Sequence, residues 1–317
     1  MVAVPSAVIS GFLWMISAHS YIVDLIVSQQ PLLAWWSLAM LMLVCCCRRW
    51  RGALLVLGFC MLAFYPLVYT RTLLLPEVDS SAKAKGTIRI VSCNINPKSE
   101  QWERAAEELM KLDADVVILI EVPPDLTRLI RRQGWVGNQA YAQWAHRPWV
   151  DGETSPGFIL SVWPIQRLSV DVDADSMQQV LHVRIDHPDG PFIAGLMHPF
   201  SPRDHDRWRY GNEVTRLQGH AANLTRSIAG LPMIFGVDLN AGPGQFRARM
   251  LRRAGLRQHK PLMRVGGSYP AGGNVPSALA VQLDDVWTLG SVHASAWSSI
   301  RVSGSDHRAV VVDLVVD

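Results

Sequence analysis

Ile234-Phe235-Gly236-Val237-Asp238-Leu239-Asn240-Ala241-Gly242-Pro243 decides how the chain is read. A short apolar run stops abruptly at Asp238 and Asn240, and Gly242 and Pro243 then break the strand. Asp238 and Asn240, with one residue between them, point to the same side of a strand end. An Asx turn after a buried strand would leave the same pattern. Three other strand ends carry matching polar chemistry: Cys93-Asn94-Ile95-Asn96, Ile120-Glu121 and Gly304-Ser305-Asp306-His307. Each adjoins an apolar, β-like run. One site lined by several strand ends accounts for all four.

Outward from this stretch, residues 87–93 (TIRIVSC) alternate and are rich in β-branched side chains, which predicts a strand. Pro97 and Ser99 open a helix to about Leu112, with Trp102, Ala106, Leu109 and Met110 at helical spacing. Residues 116–120 form an apolar strand that stops at Glu121, and a second helix starts near Asp125. Residues 157–164 read as a strand with a turn. Residues 179–185 and 191–196 read as a hairpin joined by His187-Pro188-Asp189-Gly190. A long amphipathic helix is predicted over 203–228, the central strand over 231–237 and a short basic helix over 246–254. Strands follow over 280–285 and 309–316. Many strands with interleaved helices, but few regular βαβ spacings, predict mixed sheets packed in layers.

The 317 residues are 49% hydrophobic and 18% charged, more apolar than most soluble domains. The excess sits at the N-terminus. Residues 1–83 hold five of the 30 Lys/Arg and three of the 27 Asp/Glu, so the rest is close to neutral. That balance does not favour a dedicated nucleic-acid binder. Cys45, Cys46, Cys47 and Cys60 lie in the apolar region, which leaves only Cys93 beyond it. Neither a disulfide framework nor a zinc spacing is possible within residues 87–317, and a single thiol is compatible with an oxidising compartment.

Three apolar segments, 2–23, 31–47 and 53–69, are each near the length needed to cross a bilayer. A signal peptide is the alternative for the first, but it lacks a positive n-region and a clear cleavage site. Residues 1–75 are therefore expected to be a membrane anchor of two or three transmembrane helices. Residues 76–86 are expected to be a linker and 87–317 the catalytic domain. Arg48, Arg49 and Arg51 between the second and third segments place that loop in the cytoplasm. The third segment then runs outward and places everything after Tyr69 outside the cytoplasm.

Oxygen donors at the strand ends suit a hard cation, Mg2+ or Mn2+. The candidates are Glu121, Asn94, Asn96, Asp238, Asn240 and Asp306. Glu121 could also be no more than a solvated strand end. His307 beside Asp306, with Asp284 in Gln282-Leu283-Asp284-Asp285, offers a histidine oriented by a carboxylate, the usual general-base arrangement. His198 in Met197-His198-Pro199-Phe200 is the second histidine; a hydrogen-bonded turn histidine is its structural alternative. A metal, carboxylates, amides and two histidines, without a nucleophilic Ser or Cys, suggest attack of water on phosphorus.

In this order, Ser92-Cys93-Asn94, Glu121, Gly157 to Ser161 with Pro164, His198, Gly236 to Asn240, Leu283-Asp284 and Gly304 to His307 resemble the endonuclease/exonuclease/phosphatase superfamily. That superfamily includes DNase I-like nucleases, abasic-site endonucleases, neutral sphingomyelinases and inositol polyphosphate 5-phosphatases. With the N-terminal spans, the chain looks like its membrane-attached bacterial branch. The resemblance covers about residues 87–317 and implies an α/β (α+β) fold: a four-layer α/β sandwich with two central mixed β-sheets. It implies Glu121 as the main metal ligand, with Asn94 and Asp306 nearby. Asn96, where nuclease members often place an acid, would be a weaker ligand. Asp238 and Asn240 would hold the nucleophilic water and the phosphate. His307 paired with Asp284 would serve as base or phosphate ligand, and His198 as phosphate donor or acid. Tyr269, in Ser268-Tyr269-Pro270 where many members have Thr-Trp or Thr-Phe, would wall the substrate site or sit in the core.

The expected activity is metal-dependent hydrolysis of a phosphoester: nucleic acid, phospholipid or a small phosphoester. Arg203, Arg207 and Arg209 with Trp208 and Tyr210 favour nucleic acid, although the same pattern suits the solvated face of a helix. The anchor and the near-neutral charge favour a lipid. The alternative is a membrane-tethered, catalytically inactive scaffold of the same fold, supported only by Asn96. No protein partner is predictable.

Overall fold

The computed structural model describes residues 17–28, 74–79, 83–133, 141–145, 157–168, 181–262, 264, 266–271 and 275–316. In chain order the elements begin with α1 (Tyr21–Val27), β1 (Ile88–Asn94), α2 (Trp102–Met110), β2 (Val116–Ile120), α3 (Pro124–Gln133), β3 (Tyr141–Ala145) and β4 (Gly157–Ser161). They continue with β5 (Ile165–Leu168), β6 (Leu181–Ile185), β7 (Phe192–Met197), α4 (His205–Ala229), β8 (Met233–Asp238), α5 (Phe246–Arg253) and β9 (Arg257–Gln258). The last three are β10 (Asp284–Leu289), β11 (Val292–Arg301) and β12 (Arg308–Val316).

The strands form two mixed six-stranded sheets, ordered β11-β12-β1-β2-β4-β3 and β5-β6-β7-β8-β10-β9. Only β1–β2 and β7–β8 pair in parallel. Alternation along each strand sends residues to opposite faces. Ile88 and Ile90 of β1, and Val116, Ile118 and Ile120 of β2, enter the core between the sheets with Ile234 and Val286. Val91, Cys93, Val117 and Leu119 face outward, where Ala105, Leu109, Leu126 and Ile130 of α2 and α3 cover them. On the other sheet, Phe235 and Val237 meet Ala222 of α4 and Ala248 and Leu251 of α5. Helix, sheet, sheet and helix are thus stacked in four layers. Gly236 sits where the sheets press closest: a Cβ there would lie 2.6 Å from Ile118 Cγ2 and 2.8 Å from Ser92 Oγ.

Strands β3, β5, β9 and β11 add to those read from the sequence. Of the segment read as a strand over 280–285, residues 280–283 form an approach loop, and β10 starts at Asp284. The strong apolar run is Val286-Trp287-Thr288-Leu289, so Asp284 opens its strand rather than closing one. Residues 74–79, read as the anchor's end and the start of a linker, lie on the first sheet. Trp297 N donates to Pro76 O at 3.0 Å and Val78 N to Ser298 Oγ at 2.8 Å.

The segments 31–47 and 53–69, and most of 2–23, lie outside the described residues. Among the described residues no helix is long and apolar enough to cross a membrane. The described part of the first segment ends in α1, which carries Asp24 inside the helix rather than in a loop.

Two buried polar features make stability sensitive to single changes. Arg89 and Asp313 are cross-strand partners of β1 and β12, with the guanidinium Nε 2.8 Å from the carboxylate and both side chains almost fully buried. Arg89 also donates to Leu112 O and Asp79 O. Arg89→Met should destabilise the protein by about 3 kcal/mol in denaturant titration, because it leaves Asp313 buried without its partner. His182, buried under α4 with Nδ1 2.9 Å from Thr225 Oγ1, is pushed down to about 4 by burial. Between pH 6.5 and 4 the unfolded chain takes up this proton before the folded one, so His182 makes stability fall as pH falls through that window. His182→Gln should flatten the stability–pH curve there by about 1.4 kcal/mol per pH unit, and should leave its slope above pH 7 unchanged.

Candidate active site

Four strand ends meet at one edge of the sandwich. Parallel pairing of β1 with β2 sets Asn94 opposite Ile120, which delivers Glu121 beside it. The antiparallel register of β8 and β10 sets Asp238 directly opposite Asp284. His307 immediately precedes β12, and His198 immediately follows β7. Asn94, Glu121, Asp238, Asn240, Tyr269, Asp306 and His307 line one cavity of about 310 Å³.

Its floor is a buried acid–imidazole cluster. His307 Nδ1 lies 2.7 Å from Asp284 Oδ2 and 3.8 Å from Asp238 Oδ2. His198 Nε2 lies 3.3 Å from Glu121 Oε1 and 3.7 Å from Asp238 Oδ2. Asp238 accepts from Asn94 Nδ2 and from Asn240 N, both at 2.9 Å. Burial would raise Asp238, but His307, His198 and these two donors bring its carboxyl below the ordinary range. Burial raises Asp284, and the like charge of Asp238 adds to it. Burial alone would lower His307; the pull of Asp284, Asp238 and Asp306 outweighs it and raises the imidazole to about 10. At neutral pH the histidine is therefore a cation between two acids.

The backbone at the site is held in unusual conformations. Glu121 has φ +53°, Asn240 +50° and Asn96 +71°. Asparagine tolerates the left-handed region, whereas glutamate there is strained. Each of these residues ends or follows a strand, where the chain must turn at once while its side chain stays at the cleft.

The structure separates the candidates from one another. Glu121, Asn94 and Asp306 share the cavity, and His198 stands against Glu121. Asn96 does not line the cavity; its Oδ1 accepts from Lys98 N at 3.0 Å in a local turn. Tyr269 is 38% exposed at the rim, its ring 4.8 Å from that of His307. Trp208, read as a base-stacking candidate, is buried, with its indole N–H on Asp24. Arg207 is held on Asp204 at the start of α4, while exposed Arg203 lines the cavity.

Three positioning residues were not singled out by sequence reading. Ser268 Oγ accepts from Leu283 N at 3.0 Å and Asp284 N at 2.9 Å, which fixes the start of β10. Ser305 Oγ donates to Asn94 O at 2.6 Å and accepts from His307 N at 2.9 Å, which ties the histidine to β1. Arg247, fully buried in α5, donates to Phe200 O, Leu239 O and Trp208 O and so joins the loops that carry His198 and Asn240. The Gly-Ser-Asp-His spacing pointed toward Ser305; nothing local marked Arg247, whose partners are distant in sequence.

Asp238, Asp284 and His307 each offer a ligand atom within 4.8 Å of one another, so this group could hold a metal ion. Asp284 Oδ1 is buried there without a hydrogen-bond partner. His307 Nδ1, however, is already engaged by Asp284. The more open donors are Glu121, whose side chain is 20% exposed, and Asp306 beside it in the cavity. Glu121, Asp238, Asp284 and Asp306 outnumber the two imidazoles and supply oxygen only, a donor set that fits a hard divalent cation.

No family model matches the sequence, and no curated protein matches it. Solved structures do match, across about three quarters of the chain. An endonuclease/exonuclease/phosphatase from Beutenbergia cavernae DSM 12333 is 18% identical, with a TM-score of 0.55 over 73% of this chain and 72% of that one. D. rerio TDP2, complexed with a single-strand DNA product, is 13% identical, with a TM-score of 0.50 over 73% and 99%. Sphingomyelinase C from Streptomyces griseocarneus is 15% identical, with a TM-score of 0.51 over 72% and 99%. The chain therefore has the fold of the endonuclease/exonuclease/phosphatase, DNase I-like proteins.

Proposed function

We propose that the protein is a divalent-metal-dependent hydrolase of phosphoester bonds. The observation that carries this reading is one cavity lined by Glu121, Asp306, Asn94 and His307, with Asp284 paired to His307 and His198 against Glu121. Glu121, with Asp306 and Asn94, would hold Mg2+ or Mn2+. The bound cation supplies charge stabilisation for the phosphoryl oxygens.

The chain's own residues divide the remaining work. Asp238 stays ionised and is fixed by Asn94 and Asn240, so it is placed to orient a water and accept its proton as the oxygen attacks phosphorus. Asn240 holds the loop at the phosphate, its Nδ2 donating to Pro199 O at 3.1 Å. His307, cationic and fixed through Nδ1, presents its other N–H to a non-bridging oxygen. That makes it an electrostatic donor rather than a ground-state base. His198, beside Glu121, donates to the phosphate or protonates the departing oxygen. The strained backbone at Glu121 is consistent with a residue kept for chemistry at a cost in stability.

The way the N-terminal part meets the domain supports the expected location. Residues 17–28 and 74–79 both pack on it. A chain that leaves and returns on one side crosses a bilayer an even number of times, and the apolar segments 31–47 and 53–69 would supply two crossings. The positive loop between them then lies in the cytoplasm and the domain on the periplasmic side of a bacterial inner membrane. Asn96 lies in a local turn outside the cavity, which removes the support for an inactive scaffold. Burial of Trp208 weakens the aromatic support for nucleic acid, leaving Tyr210 as the exposed aromatic of that stretch.

With Mg2+, the full chain should hydrolyse bis(p-nitrophenyl) phosphate, and chelation should abolish turnover reversibly. Glu121→Gly should lower kcat/KM at least about 100-fold while raising the unfolding free energy by about 1 kcal/mol, since glycine adopts the left-handed conformation without strain. Equal rates for this variant and wild type would remove Glu121 from the mechanism. His307→Gln should lower kcat by about 100-fold or more with little change in KM, as expected for a donor that acts on charge formed in the transition state.

A further inference from the structure

Helix α1 belongs to none of the four layers, yet it is bolted to the cavity. Asp24 is 1% exposed. Its Oδ1 accepts from Phe246 N at 2.8 Å, and its Oδ2 from Trp208 Nε1 at 3.1 Å and Gln245 Nε2 at 3.4 Å. Phe246 is the first residue of α5, and Gln245, at the N-cap position, makes no side-chain cap of its own. Asp24 therefore caps α5 from a remote part of the chain, satisfying an amide that a helix start leaves unpaired. Gln245 in turn accepts from Gly242 N, so the hydrogen-bonded path runs into the loop that follows Asn240. Tyr21 Oη donates to Pro202 O at 2.8 Å, on the loop after His198, and Ser17 pairs with buried Arg249. Buried Arg247 and Arg249 give this corner a positive field that Asp24 balances.

The same helix reaches the cavity itself. Leu25 and Ser28 line it together with Glu121, Asp238 and His307. Away from the acidic groups, Leu25, Pro202, Tyr269, Val281 and Leu283 give the lining apolar surface. The polar Ser28, Ser201, Arg203 and Gln245 interrupt it. Leu25 is 38% exposed, and Ile22, one turn earlier on the same helix, is 67% exposed. Ser28 is three residues before the apolar segment that begins at Pro31, a span of at most about 10 Å.

Taken with the hydrolase reading, on which this rests, the geometry points to α1 as a working wall of the active site. Asp24 is a positioning residue for the Asn240 loop, and Leu25 is a specificity residue that receives an apolar substituent of the phosphoester. The substrate class is an amphiphilic phosphoester presented at a lipid surface. An apolar segment expected to enter lipid begins three residues after Ser28, and Leu25 of α1 presents apolar surface to the cavity together with Pro202, Val281 and Leu283.

Two measurements on the full chain in detergent test this. The first needs no turnover. Amide hydrogen exchange over residues 240–246 should be at least tenfold faster in Asp24→Ala than in wild type, whereas Asp24→Asn, which still offers an oxygen to Phe246 N, should stay near wild type. Unchanged exchange in Asp24→Ala would overturn the capping role. The second compares methyl, ethyl and butyl p-nitrophenyl phosphates with Mg2+, below the concentration at which the esters aggregate. A fully buried methylene is worth about fourfold, so kcat/KM at this partly open wall should rise about fivefold or more from methyl to butyl. Leu25→Ser should bring the butyl-to-methyl ratio close to one. A flat wild-type series, or a ratio that survives Leu25→Ser, would overturn the apolar wall. No turnover of any ester would instead overturn the hydrolase reading and the substrate class with it, while the exchange result would still decide whether α1 is latched to the loop.

Discussion

Two carboxylates buried side by side set the terms for the rest of this protein. The register of β8 against β10 forces Asp238 opposite Asp284. With ligand atoms within 4.8 Å of each other, their repulsion is on the order of 3 kcal/mol at a typical effective dielectric. No sheet of ordinary composition would keep such a pair. It persists because His307 lies between them as a cation and because Asn94 and the Asn240 amide donate to Asp238. The acid pair holds the imidazole charged, and the imidazole holds the acids in place.

The scaffold around this cluster consists of contacts that stop it from relaxing. Gly236 lets the sheets close to a distance that a methyl group would prevent, which keeps the ends of β1, β2 and β8 together. Ser268 and Ser305 fix the entries to β10 and β12, so Asp284 and His307 cannot drift apart. Arg247 spends its guanidinium on carbonyls of two separate loops, which keeps His198 and Asn240 at one edge. Each of these groups is buried and hydrogen-bonded, so each resists displacement more strongly than a surface contact could.

The N-terminal segment extends the same logic beyond the sandwich. A helix whose apolar surroundings in sequence suggest insertion into lipid carries one acid, and that acid is buried against α4 and α5. Asp24 meets a helix start, an indole and two buried arginines, an environment that an unattached domain would leave short of negative charge. Helix α1 and the cavity are therefore one electrostatic unit.

The sequence by itself determined the layered class of the fold and the identity of most polar groups at the cleft. Period-2 runs that stop at Asn94, Glu121 and Asp238 are local signals, written in residues adjacent along the chain. It misplaced the start of β10, because Val281 and Leu283 mimic a strand although the strand pairs only from Asp284 onward. It could not say whether Asn96 serves as a ligand or as the turn residue seen in the structure, because the two look alike in one dimension. Only the tertiary structure decided that Asp284 faces Asp238, that Arg247 and Ser305 hold the loops, that Trp208 is buried, and that Asp24 caps a helix more than 200 residues away. Those facts depend on strand register and on burial, which are set by packing between distant segments and leave no periodicity in the chain that makes them.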